Sequence, residues 1–119
     1  MSMMTHKDLD VWKMGIDIVE KVYRITEKYP KDEQFGLTSQ LRRAVVSIPS
    51  NIAEGAARSS KREYLQYLYI SLGSLAEVET QLIIANRLKY LNDDDIMENI
   101  EHLRRKLLNF IKYVKGKAA

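Results

Sequence analysis

Glu79 is the residue whose type and surroundings come nearest to chemistry. It falls on the ladder Leu65, Leu68, Leu72, Leu75, Glu79, Leu82, Asn86, whose spacing of three and four places all seven on one helix face. A carboxylate drawn out of water on such a face is costly unless a cation or donor meets it. It serves either as an acid with a raised pKa or as half of an ion pair that fixes register. An earlier stretch supplies cations: Gln40, Arg43, Ser47, Ser50 and Glu54 recur at helical spacing, with Asn51 beside them. Arg43, or failing that Arg42, is the expected partner of Glu79, within a structural polar core of Arg43, Glu79, Asn51 and Glu54. No nucleophile, metal ligand or second acid accompanies Glu79, so the ion pair is the expected role and catalysis is not.

The other constellations point away from an enzyme. His6 and His102 are the only histidines and share no ligand spacing, so no metal site is expected. Five scattered glycines make no phosphate loop, so no cofactor is expected; Gly73 suggests a close helix approach. Tyr64, Tyr67 and Tyr69 beside Lys61 and Arg62 invite base stacking, although core packing explains tyrosines equally well. From Arg104 onward the chain carries Arg104, Arg105, Lys106, Lys112, Lys115 and Lys117 with no Asp or Glu among them. Cations near a helix C-terminus complement its dipole, and the same cations can meet an anionic partner. The nucleic-acid-binding candidates are Arg58, Lys61, Arg62, Arg104, Arg105 and Lys106.

These residues must be held by helices. A chain of 119 residues, 45% hydrophobic and 29% charged, suits one domain over residues 1–119, and a net charge of +3 is only mildly basic. With no cysteine and no apolar leader at the N-terminus, a cytoplasmic protein is expected. Charges or amides interrupt every apolar run, so no membrane span is expected. Periodicity predicts helices at about 7–29, 36–54, 60–88 and 93–115. Thr5 with Asp8 and Ser60 with Glu63 are spaced as capping boxes, Asn92 precedes the acidic turn Asp93, Asp94, Asp95, and Tyr29-Pro30 and Gly55 read as stops. Pro49 falls inside the second helix and predicts a kink, at about 3 kcal/mol or more that surrounding packing must offset. The first helix carries two apolar stripes, Leu9, Trp12, Ile16, Val19, Tyr23 and Met14, Ile18, Val22, Ile25, Tyr29, which exceeds what one core needs and predicts contact with another subunit. The fold class is all-α, an antiparallel up-down four-helix bundle, assembling as a cyclic homo-oligomer.

Three segments carry a family resemblance: Leu9 to Trp12, Gly36 to Ala44 (Gly-Leu-Thr-Ser-Gln-Leu-Arg-Arg-Ala), and Ser47 to Gly55 (Ser-Ile-Pro-Ser-Asn-Ile-Ala-Glu-Gly). Together with Ser71 to Leu82 they resemble the bacterial four-helix-bundle family also called the 23S rRNA intervening-sequence proteins, from about residue 7 to 113. The resemblance implies a homopentameric ring or barrel without established enzymatic activity. A related group is the accessory protein of diversity-generating retroelements, whose basic pentamer is thought to hold RNA and a reverse transcriptase.

Two functions follow as expectations. One is an RNA-binding module, in which modest basic patches repeated by symmetry add into a strong positive field and read phosphate and shape. The other is a protein scaffold in which the charges serve solubility.

Overall fold

The computed structural model describes residues 5–90, 92 and 95–116. Four helices account for most of them: α1 Asp10–Thr26, α2 Leu37–Ala56, α3 Lys61–Arg87 and α4 Ile96–Gly116. Among the described residues there is no strand. α1 packs on α2 and α4, and α3 packs on α2 and α4, with the α2–α3 contact the most extensive. The result is an elongated body of 48 × 23 × 22 Å, the arrangement expected of a four-helix bundle.

The core is built from one ladder per helix. α1 contributes Val11, Ile18, Val22 and Ile25, α2 Leu41, Val45, Ile48 and Ile52, α3 Leu68, Leu75, Val78 and Leu82, and α4 Ile100, Leu103, Leu107 and Val114. Leu9, Trp12, Met14 and Val19 pack against this cluster, so both stripes of α1 are used largely inside one chain. Apolar side chains left uncovered lie on α3 and at the α1–α2 connection, with Val46 on α2 and Leu108 and Tyr113 on α4. Ile70 and Leu88 are 51% and 52% exposed, Ile83 and Ile84 are also exposed, and Phe35 stands 91% in solvent.

Helix ends depart from expectation for local reasons. Thr5 and Asp8 do form a reciprocal capping box, but it opens a single 3-10 turn, His6–Asp8, and α1 starts after it at Asp10. α1 ends at Thr26, three residues short of Tyr29, whose ring leaves the helix to pack on Tyr90 at 5.3 Å. Ser60 caps α3 by accepting the Glu63 N–H at 3.1 Å. α3 closes with Lys89 at φ 66°, where the Tyr90 N–H reaches the Ala85 carbonyl (2.9 Å) and the Lys89 N–H the Asn86 carbonyl (3.0 Å). This is a Schellman closure with lysine at the left-handed position that glycine usually fills. Asn92 does not act as the expected cap: its amide donates to the Leu82 carbonyl (3.1 Å) and its oxygen accepts the Tyr29 hydroxyl (2.6 Å). Asp93, Asp94 and Lys117 lie outside the described residues.

Pro49 is inside α2, as predicted, and it is buried. It fits because Gly15 on α1 leaves a notch, where a Cβ would come within 3.3 Å of the Pro49 Cβ. The buried Ser71 hydroxyl donates to the Ile48 carbonyl at 2.8 Å, tying α3 to α2 one residue before the proline. Gly55 does not stop α2, which continues through Ala56. A Cβ there would meet the Tyr67 Cβ at 2.8 Å, so Gly55 is the close-approach glycine of the α2–α3 contact. Gly73, expected in that role, has open space around it.

By length and composition α3 could cross a bilayer, with a mean hydropathy of 1.2 over its most apolar window, contrary to expectation. The core helix of a packed bundle meets the same criterion, and 39% of that window is buried within the chain.

Candidate nucleic-acid interface

The polar core differs from the expectation built on Glu79. Burial on α3 follows Leu68, Ser71, Leu75, Val78, Leu82 and Ala85, all fully buried, so Leu68, Leu75 and Leu82 are common to both ladders. The alternate rungs are Ser71, Val78 and Ala85 in place of Leu72, Glu79 and Asn86. The small side chains turn toward α2 because that helix approaches closely, at Gly55 and at the Ser71–Ile48 hydrogen bond. Glu79 is consequently half-buried, Arg43 is exposed, and no ion pair joins them. Arg42, the second choice, instead donates to the Thr26 hydroxyl (2.9 Å) and lies 4.5 Å over the Tyr23 ring.

The polar stripe of α2 does meet α3, through neutral groups. Asn51 donates to the Ser47 carbonyl and hydroxyl, both at 2.8 Å, and the Ser47 and Ser74 hydroxyls bond at 2.8 Å. Glu54 turns outward and pairs with Arg58 at 3.4 Å. Among the described residues no group of three or more His, Asp or Glu is placed to hold a metal.

The six basic candidates separate into used and available cations. Arg58 is engaged within the chain, donating to the Tyr67 hydroxyl at 2.7 Å with its guanidinium 4.8 Å over that ring. Arg104 is half-buried and paired with Glu101. Lys106 is exposed and lines a cleft that also includes Asp8 and Asp10. Arg62 is exposed. Lys61 donates to the Lys115 carbonyl at 3.1 Å, which ties the start of α3 to the last turn of α4. Arg105 is exposed and only loosely held by Glu101 at 3.9 Å. It lies on a groove of about 480 Å³ between α3 and α4 with Tyr69, Leu108, Lys112 and Lys115, whose lining contains no carboxylate.

Lys112 and Lys115 were in the C-terminal basic run but not among the candidates. Their spacing from Arg105 and Leu108, seven and ten positions and then four and seven, is one helical face and was legible. The approach of Tyr69 from α3 was not. Of the three tyrosines considered for stacking, Tyr64 packs edge-on to Phe110 at 6.0 Å and Tyr67 holds Arg58, which leaves Tyr69 with an exposed ring.

Comparison with known proteins bears on the whole chain. Among solved structures, a protein of unknown function from the S23 ribosomal protein family of Bacteroides thetaiotaomicron superposes with a TM-score of 0.78 at 21% identity, covering 86% of this chain and 95% of that one. At that identity the likeness shows the fold. None of the curated proteins compared with the chain matches it. The model of the family described as 23S rRNA-intervening sequence protein matches residues 7–109. That match takes in the Gly36–Ala44 and Ser47–Gly55 segments and most of all four helices, and the chain belongs to the 23S rRNA-intervening sequence protein family.

Proposed function

We propose that the protein is a non-enzymatic RNA-binding bundle that works as a closed ring of identical subunits, five being the number the family resemblance implies. The observation that carries the RNA reading is the meeting of cations distant in sequence. Lys61 bonds to the Lys115 backbone, so the α2–α3 turn with Arg62 shares one end of the molecule with Lys112 and Lys115. Cations so grouped bind phosphate by releasing counterions, and repetition around a ring multiplies a modest patch. The same link, with the Tyr29–Asn92 bond between the α1–α2 and α3–α4 connections, supports an antiparallel order of neighbouring helices.

Assembly is supported by the apolar face of α3 and by Phe35, a larger exposed set than isolated surface residues provide. We propose that the ring is cytoplasmic and makes no use of a membrane.

Fluorescence anisotropy against an RNA hairpin and a matched DNA duplex, from about 50 to 200 mM salt, tests the reading. Binding should fall linearly in log salt, and Lys112→Gln with Lys115→Gln should flatten that slope. Absence of binding at the lowest salt would overturn the RNA function and turn attention to a protein scaffold built on the apolar face.

A further inference from the structure

We infer that the α3–α4 groove is a stacking site for an unpaired nucleotide of the bound RNA, with the base on Tyr69 and its phosphates on Arg105, Lys112 and Lys115. This rests on the RNA reading above and adds to it a defined contact with a base.

Four observations converge. The Tyr69 ring is 44% exposed at the rim of a groove of about 480 Å³, while Tyr64 and Tyr67 are committed to Phe110 and Arg58. The Lys115 ammonium lies 5.3 Å from the Tyr69 ring centroid, so cation and ring are close enough for one nucleotide to meet both. Three cations and no carboxylate line the groove, which suits a phosphodiester backbone. Leu108, 40% exposed, gives the groove an apolar patch beside the ring.

A fully paired duplex keeps its bases in the stack and offers the groove only phosphates. An unpaired nucleotide in a loop or bulge offers both parts, and base–aromatic stacking tolerates any base. The site therefore selects unpaired RNA over paired RNA without reading sequence.

The test compares anisotropy of three RNA probes: a hairpin with an unpaired loop, the same hairpin with an abasic loop, and a blunt duplex. Tyr69→Leu should weaken binding of the first by roughly 5- to 150-fold, the range expected for one lost base–aromatic stack, and leave the other two unchanged. Tyr69→Trp should keep the affinity, and its indole fluorescence should be quenched by the looped hairpin and not by the abasic one. Equal affinities of wild type and Tyr69→Leu for the looped hairpin, with salt-dependent binding intact, would overturn the stacking site and leave the phosphate reading standing. No binding of any probe would overturn both.

Discussion

At Lys89 the backbone adopts φ 66°, which costs a residue with a Cβ about 1 kcal/mol or more relative to glycine. Lys89→Gly should therefore stabilise the protein by about 1 kcal/mol in a urea melt, and an unchanged midpoint would show that the lysine side chain offsets the strain. The reverse holds at Gly55. A methyl group placed 2.8 Å from the Tyr67 Cβ and 3.2 Å from the Tyr64 carbonyl oxygen must push α2 and α3 apart. Gly55→Ala is expected to destabilise by about 1–3 kcal/mol, the range for overpacking, with the same melt as readout. Glu79, once removed from the core seam and without Arg43, has no ion pair among the described residues to lose. Glu79→Gln should change stability by no more than about 0.5 kcal/mol; a clear loss would restore the buried pair.

Between elements, the connections are latched at the end opposite the basic groove. Glu33 accepts the Leu37 backbone N–H (3.0 Å) and the Tyr90 hydroxyl (2.8 Å), and these bonds, the backbone one first, hold its carboxyl below the usual 4.5. Its contribution is therefore complete above that pH and lost as pH falls through the lowered value. Tyr90 is raised above 10.0, chiefly by the bond to Glu33, and Tyr29 is pushed up to about 12 by burial. Both contributions are complete below pH 10.0 and fade as pH rises through the raised values. Melting temperature should thus decline on both the acid and the alkaline side. In Glu33→Gln the acid-side decline should shrink while the alkaline decline from Tyr29 persists; an unaltered acid limb would contradict the latch. How much of this was legible depends on the kind of signal. The proline inside the second helix and the Ser60 cap follow from spacing alone. The α3 face did not, because Leu72 competes with Ser71 in any hydrophobic count, and only the close approach of α2 selects the smaller residue. Asn92 reads as a helix cap locally, but the Tyr29 hydroxyl and the Leu82 carbonyl claim its side chain.

For the whole molecule, a basic run that looked continuous in sequence divides in space. Helical rotation sends Arg104 to Glu101, Lys106 toward Asp8 and Asp10, and Arg105, Lys112 and Lys115 into a groove completed by Tyr69. Family membership and fold were legible in the Gly36–Ala44 and Ser47–Gly55 segments; the groove was not, since it depends on how α3 and α4 pack. The uncovered apolar face of α3 and the exposed Phe35 carry the proposal that the working unit is an assembly. Light scattering of the protein at micromolar concentration, alone and with an RNA hairpin at low salt, reads both parts of the proposal together. The account predicts a mass several times the 13.8 kDa of one chain, increased further by bound RNA. A 13.8 kDa species that elutes apart from the RNA would contradict it.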